Sequence, residues 1–111
     1  MKEQNIQSLI MVELSKYGIP IRINSGIAWG GRLVNGIIEH PRAIKLAPEG
    51  FPDILFIGEN GKVLFIECKT LKGKQRESQK KFQKLLEQYG HTYLIARSPE
   101  DIKKFMEDIN E

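Results

Sequence analysis

Residues 50–69 read GFPDILFIGENGKVLFIECK and contain two apolar runs separated by a turn. The first run, residues 54–57, is continuous and rich in β-branched and aromatic side chains, which favours a buried strand. Residues 58–61 have the glycine and asparagine content of a tight turn, and residues 62–68 form a second run of the same kind. The stretch therefore predicts a β-hairpin at the centre of the fold.

The length of the turn decides which residue lies opposite Asp53. A two-residue loop at Asn60-Gly61 sets Asp53 opposite Cys68. A three-residue loop, with Gly61 in the left-handed conformation, sets Asp53 opposite Glu67. In this second register the Cβ atoms of the two acids lie roughly 4.5–5.5 Å apart, close enough to share one cation. We predict the second register because it forms a metal site.

Asp53, Glu67 and Lys69 together predict the chemistry of that site. Side chains alternate along a strand, so Glu67 and Lys69 share one face. Paired carboxylates raise one pKa unless a cation neutralises them, and oxygen ligands suit Mg²⁺, with Mn²⁺ as a substitute. The Lys69 ammonium can hold a phosphate oxygen or the attacking water, which indicates metal-assisted phosphodiester hydrolysis. The alternative is that Asp53 caps a turn and the other two form a solvated pair.

The net charge is only +3, but the basic residues are unevenly distributed. A cluster follows directly after residue 68 and comprises Lys69, Lys72, Lys74, Arg76, Lys80, Lys81 and Lys84. Such clusters release counterions from nucleic-acid backbones and bind them without sequence preference. We predict DNA contacts for Lys72, Lys74, Arg76 and Lys80, and for Arg22 in an earlier strand. The alternative is a solvated helix face beside a flexible basic loop.

The remaining chain completes an α/β pattern, a mixed sheet around the hairpin flanked by helices. Helices are predicted at residues 2–17, with Gly18 as the C-terminal cap, at residues 76–89, and from Ser98-Pro99 onwards. Strands are predicted at residues 18–24, an edge strand because of Pro20, and at residues 92–97, parallel to the second hairpin strand. Between residues 25 and 49 the pattern weakens, with short strands near 27–29 and 42–46. Trp29 is interpreted as a core or interface residue, and the alternative is a platform on which bases stack.

Composition limits the class of protein. The chain of 111 residues predicts one domain over 1–111, and its hydrophobic content of 41% is typical of a soluble globular protein. We expect no membrane partner, because no apolar run approaches the ~18 residues of a membrane span. The single cysteine excludes an internal disulfide and fits a reducing compartment. We also expect no nucleotide cofactor, because the sequence has no phosphate-binding Gly-x-x-x-x-Gly-Lys loop.

Residues 50–53, Glu67-Cys68-Lys69 and the later Gln79 resemble the VRR-NUC family, a branch of the PD-(D/E)xK nuclease superfamily. The resemblance extends from Glu3 through residue 101 and is strongest to the short stand-alone members of phages and bacteria. It implies a restriction-endonuclease-like core and a metal-dependent endodeoxyribonuclease in the cytoplasm of a bacterial or phage-infected cell.

The resemblance also implies the roles of individual residues. Asp53, Glu67 and the main-chain carbonyl of Cys68 would bind Mg²⁺, and Glu3 matches an acid of the family's first helix. The alternative for Glu3 is that it only complements the helix dipole. Lys69 and Gln79 would be catalytic. The spacing places Gln79 on the inward side of its helix, and the alternative is a glutamine satisfied by the backbone.

The stand-alone relatives look like homodimers that cleave branched DNA such as four-way (Holliday) junctions and leave a 5′-phosphate. We therefore expect a homodimer that acts on branched or duplex DNA. Two other hypotheses remain: a non-catalytic nucleic-acid-binding module of the same fold, and a sequence-specific restriction-type endonuclease.

Overall fold

The computed structural model describes residues 1–25 and 27–109. Its elements follow in the order α1 (Glu3–Leu14), β1 (Gly18–Arg22), β2 (Ile27–Val34), β3 (Ile37–Lys45), β4 (Ile54–Gly58), a 3₁₀ turn (Glu59–Gly61), β5 (Val63–Cys68), α2 (Glu77–Gln88), β6 (Thr92–Ala96) and α3 (Pro99–Ile109). The strands form a four-stranded sheet in the order β1-β4-β5-β6 and a separate two-stranded sheet of β2 and β3. The predicted α/β class, with a mixed sheet around a central hairpin, is confirmed.

The central strands β4 and β5 are apolar on both faces: α1 and α3 cover one face of the sheet, and α2 covers part of the other. One face carries Ile54 and Ile66, both fully buried, and packs against α1 and α3. The other face carries Phe65, which packs against Leu86 of α2. Burying each such side chain contributes about 1.5–3 kcal/mol. Cys68 is fully buried in the first of these cores.

The turn between β4 and β5 has the predicted three-residue loop. The Gly58 N–H donates to the Lys62 carbonyl oxygen at 2.8 Å, and Gly61 has the left-handed φ of 72° that the register requires. Ile54 lies opposite Ile66 in the resulting ladder, so continuing it by one residue brings Asp53 level with Glu67. The second of the two registers is therefore the observed one.

The first helix is shorter than predicted, and the role assigned to Gly18 was wrong. Helix α1 ends at Leu14 with Ser15 as its C-cap, and Gly18 is the first residue of β1, opposite Gly58. A Cβ atom on Gly18 would lie 2.4 Å from the Ile57 carbonyl oxygen. The glycine is therefore required by the close packing of two strands.

Between residues 25 and 49 the chain forms a longer hairpin than the sequence pattern indicated. Strands β2 and β3 are joined by Asn35 and Gly36, which have φ of 50° and 78°, the conformation of a tight two-residue hairpin turn. The ladder is irregular at Gly30–Arg32, so the glycines that suggested a break mark a bulge within a continuous strand. The prediction for the Trp29 side chain lies outside the part of the chain that the structure describes.

The later elements agree with their predicted positions to within one or two residues. Strand β6 pairs in parallel with β5, and β1 is an edge strand, as Pro20 required. Over the described residues, no helix combines the length and apolar character needed to cross a membrane.

Candidate active site

Two reciprocal hydrogen bonds hold Asp53 and Glu67 together where β4 begins and β5 ends. The Asp53 N–H donates to Glu67 Oε1 at 3.2 Å, and the Cys68 N–H donates to Asp53 Oδ2 at 2.9 Å. Each carboxylate therefore binds the backbone of the opposite strand, which fixes both side chains without tying up all of their oxygens. The hairpin register thus forms a paired-acid site.

Glu67 is the buried member of the pair. Its side chain has no exposed surface, and its Oε2 atom makes no hydrogen bond within residues 1–25 and 27–109. Burial, followed by the hydrogen bond and negative charge of Asp53, raises the pKa of Glu67 to about 8, which the charge of Lys69 only partly offsets. Lys69 Nζ lies 3.8 Å from Glu67 Oε2, and only 6% of Lys69 is exposed. Glu67 and Lys69 are therefore not the solvated pair of the alternative interpretation.

The loop that carries Asp53 packs against the beginning of α2. Gly50 in this loop is buried and has a φ of +87°. A Cβ atom at Gly50 would lie 2.4 Å from the Ser78 carbonyl oxygen. Pro52 is fully buried immediately before Asp53. The glycine and proline of this segment therefore position Asp53 by letting the loop lie directly on the helix backbone.

We expect Gly50→Ala to destabilise the protein by about 2 kcal/mol or more, because backbone strain and a backbone clash add together. The hydrogen bonds between Asp53 and the end of β5 should weaken as well, since the loop with Asp53 must move. Gly61→Ala is the matched control: its φ is +72°, and no atom lies within 4 Å of its Cβ position. It should lose only about 1–2 kcal/mol, the cost of a left-handed backbone alone. Urea unfolding of both variants measures the difference, and equal losses would contradict the packing role of Gly50.

Gln79 is buried in the first turn of α2, with 4% of its surface exposed. Its Oε1 atom accepts a hydrogen bond from the Arg76 N–H at 2.8 Å, so the side chain caps the helix. The alternative from the sequence, a glutamine that is hydrogen-bonded by the backbone, therefore holds for the Oε1 atom. The Nε2 group of the same amide is a donor suited to phosphate or water. The catalytic role of Gln79 stays a prediction.

Arg97 is a residue that the sequence interpretation missed. Its Nη1 atom donates to the carbonyl oxygens of Thr70 and Gly73, at 2.5 Å and 2.7 Å, across the basic loop that follows Lys69. The Lys69 N–H donates to the Ala96 carbonyl oxygen at 3.0 Å. Because β5 and β6 are parallel, their carboxyl ends meet at one edge of the sheet. Arg97 therefore orders the loop that presents Lys72 and Lys74.

The basic residues predicted to bind DNA lie at the surface. Lys72, Lys74, Arg76 and Lys80 are exposed along the basic loop and the start of α2. Lys80 Nζ lies 3.4 Å from Glu77 Oε1, an exposed pair that contributes little to stability. These contacts stay predictions, although all four side chains are accessible to a phosphate backbone.

An open cleft of about 580 Å³ lies between α1 and the end of β1. Asp53 and Arg22 line this cleft together with Gln4 and Gln7 of α1. The cleft is therefore where a polar ligand can reach Asp53, and Arg22 lines the same cleft.

Glu3 is exposed at the first residue of α1. Within residues 1–25 and 27–109, no three His, Cys, Asp or Glu side chains are grouped closely enough to hold one metal ion together. The structure therefore brings together Asp53, Glu67 and Lys69 but does not add the Glu3 carboxylate to them. Metal binding by Glu3, like that by the Cys68 carbonyl, stays a prediction.

Comparison with known proteins shows a likeness to solved structures. No family model and no curated protein matches the chain. Among solved structures, a chain described as "VRR_NUC domain" superposes with a TM-score of 0.61 and 18% sequence identity, covering 95% of this chain and 94% of that chain. At this identity, likeness between two structures defines the fold alone. The chain has the fold of a VRR_NUC domain, as its motifs predicted.

Proposed function

We propose that the protein is a divalent-metal-dependent DNA endonuclease that hydrolyses phosphodiester bonds. The observation that carries this proposal is the burial of the Glu67 carboxyl group beside Asp53 and Lys69, with its Oε2 atom accepting no hydrogen bond from any of the described residues. A structural role would favour a satisfied or apolar side chain at this position. A cation, in contrast, needs such an oxygen. The fold, shared with a VRR_NUC domain, supports the same interpretation.

The residues present fit Mg²⁺, or Mn²⁺ in its place. Asp53 and Glu67 supply carboxylate oxygens, and the Cys68 main-chain carbonyl adjoins them in the chain. When bound, such a cation lowers the pKa of a coordinated water and offsets negative charge on the scissile phosphate. Two carboxylates with further water or phosphate ligands are a usual set for Mg²⁺.

The chain's own groups provide position and charge. The Cys68 N–H fixes Asp53 Oδ2, and the Asp53 N–H fixes Glu67 Oε1, so neither carboxylate rotates freely. Lys69 holds its ammonium in a largely water-free position, where a positive charge interacts strongly with phosphate. Lys69 would therefore orient a phosphate oxygen or the attacking water. The exposed Lys72 and Lys74 would hold the flanking DNA backbone.

The substrate we propose is branched DNA, cleaved by a homodimer. So small a domain offers limited surface for reading a base sequence. Two copies related by a two-fold axis can contact two arms of a junction. The basic residues near the site are exposed lysines and arginines suited to phosphate contacts, which position DNA but do not specify its sequence.

The protein should cut a labelled four-way junction in Mg²⁺ and leave it intact in EDTA. A linear duplex of the same sequence should be cut more slowly, and Asp53→Ala should reduce cleavage at least about 100-fold. Gel analysis of both substrates measures these rates. If wild type and Asp53→Ala nicked plasmid DNA equally, the proposed mechanism, in which Asp53 binds the metal, would be wrong. Binding without cleavage would favour the non-catalytic module, and discrete duplex fragments would favour a restriction-type enzyme.

A further inference from the structure

The β2–β3 hairpin, which we term the arm, projects from the rest of the chain. All nine residues of β3 are exposed. The radius of gyration is 16.4 Å, whereas a compact chain of this length has about 13 Å, and the longest dimension is 57 Å against 33 and 28 Å. An isolated two-stranded hairpin is marginally stable in water. The arm therefore lacks the packing that would stabilise it within one chain.

One face of the arm is apolar. Leu33 and Ile38 lie directly opposite each other in the ladder and are 70% and 45% exposed. The neighbouring pair, Arg32 and Glu39, points to the other face because side chains alternate along a strand. Apolar pairing at the end of a projecting hairpin suits a protein surface better than a phosphate backbone. The face with Arg32 and Glu39 also carries Ile37, which is 69% exposed, so that face mixes charged and apolar side chains. The face with Leu33 and Ile38 presents an apolar pair at the end of the arm and is the one suited to an apolar partner.

A second apolar surface of the chain is also uncovered. Ile19, Ile57 and Val63 lie side by side across β1, β4 and β5. They are 62%, 39% and 37% exposed, and Ile21, farther along β1, is 39% exposed. Helix α2 covers the neighbouring part of this face, where Phe65, Leu86 and Tyr93 pack together. These four exposed residues form what we term the open sheet face.

We propose that two copies of this chain associate reciprocally, with the apolar face of each arm packed on the open sheet face of the other copy. This inference assigns an interface to the homodimer of the proposed function. It is tested through oligomeric state, so its outcome does not depend on whether the protein cleaves DNA.

The area of contact favours a reciprocal arrangement. The eight residues of β2 span about 26 Å, and a ribbon of two strands is about 10 Å wide, so one arm covers about 260 Å². When both arms are exchanged, each chain buries one arm and one sheet face, about 520 Å² in all. This is about two thirds of the roughly 800 Å² that a stable interface buries on each partner. A one-way contact would bury half as much and leave a free arm for further association. In a reciprocal dimer both arms and both open sheet faces are occupied, so no further copy can add to it.

The first experiment is sedimentation of wild type, Ile38→Asp on the arm and Ile19→Asp on the open sheet face. Wild type should be a dimer, and each variant should raise the dimer dissociation constant at least about 100-fold, because the substitution removes a buried aliphatic side chain at both symmetry-related contacts. Val12→Asp, on the exposed side of α1 at 63% exposure, is the matched control and should stay dimeric. Circular dichroism verifies that all variants fold. A monomeric wild type, or dimeric arm and sheet variants, would overturn the proposal.

The second experiment identifies which surfaces meet. Ile38→Cys and Ile57→Cys are prepared separately, mixed, and treated with a flexible bis-maleimide; the native Cys68 is fully buried. The proposal expects a crosslinked dimer in the mixture that neither variant forms alone. Because each chain carries one new thiol, contact of an arm with its own sheet gives no crosslink and would overturn the proposal. Crosslinking of Ile38→Cys with itself would show arm-to-arm contact and would also overturn it.

Discussion

Glu67→Gln is expected to reduce Mg²⁺-dependent DNA cleavage at least about 100-fold and, in EDTA at pH 9, to make the protein more stable than wild type. Both effects follow from burial of the Glu67 carboxylate, whose Oε2 atom makes no hydrogen bond within the part of the chain that the structure describes. Glutamine has nearly the same shape and no charge. It therefore removes a ligand that a cation needs and also the cost of an uncompensated buried charge.

The sign of the pH dependence follows from the raised pKa. Burial, then Asp53, raises the pKa of Glu67 from 4.5 to about 8, so the folded protein holds this proton more tightly than the unfolded chain. The resulting stability is fully present below pH 4.5 and is lost as the pH rises through about 8. Without metal, wild type should lose roughly 1–3 kcal/mol between pH 6 and 9 relative to Glu67→Gln.

Other groups near Glu67 change this expectation little. Burial raises the pKa of the Tyr93 hydroxyl and that of the Cys68 thiol, so both stay neutral across this range. Urea unfolding in EDTA at pH 6 and pH 9 measures the difference between wild type and variant. Adding Mg²⁺ at pH 9 should stabilise wild type and leave Glu67→Gln nearly unchanged, because a ligand stabilises only the state that binds it.

Glu13→Gln is the matched control, because Glu13 is also a buried glutamate. Its two oxygens accept hydrogen bonds from Lys16 and from the Tyr17 hydroxyl, each at 3.1 Å. Burial alone would raise the pKa of Glu13, but these two partners outweigh it and the pKa is lowered. Glu13→Gln should therefore destabilise the protein at neutral pH and leave cleavage intact. Similar pH profiles for wild type and Glu67→Gln would contradict the assignment of Glu67.

The paired acids could be predicted from the sequence because a local feature controls them. A turn with Gly61 in the left-handed conformation sets the register of the hairpin, and the register places Asp53 level with Glu67. The parallel strand β6 and the beginning of α2 were likewise predictable from short-range patterns. Local signals of this kind persist in the folded chain because tertiary packing agrees with them.

Other features could not be found this way, or were overlooked. Gly18 has the position of a helix cap, and only its contact with the Ile57 carbonyl oxygen reveals the strand. Arg97 contacts a loop more than 20 residues away, a relation that no local pattern contains. The Asn35-Gly36 turn was a recognisable signal, since this dipeptide between apolar residues favours a hairpin. The neighbouring glycines at 30 and 31 obscured it.

Lys69→Met is expected to reduce cleavage about 10²- to 10³-fold without weakening Mg²⁺ binding. Methionine keeps the packing of a side chain that is only 6% exposed but removes its charge. The ammonium lies 3.8 Å from Glu67 Oε2 and repels a cation at the same carboxylate. Its loss should leave the Mg²⁺ dissociation constant unchanged or lower, while phosphate or water loses its positively charged partner. Calorimetry without DNA and single-turnover cleavage separate the two effects.

Lys16→Met is the control for this prediction, because Lys16 also pairs with a buried glutamate. Lys16 Nζ lies 3.1 Å from Glu13 Oε1, a hydrogen-bonded pair, whereas the Lys69–Glu67 separation is too long for one. A lysine whose role is only to stabilise the fold should be hydrogen-bonded to its glutamate, as Lys16 is to Glu13. Lys16→Met should therefore reduce the stability of the protein and leave cleavage unchanged. Lys69→Met should reduce cleavage and leave the stability nearly unchanged. A parallel loss of Mg²⁺ binding and cleavage in Lys69→Met would mean that Lys69 only maintains the metal site.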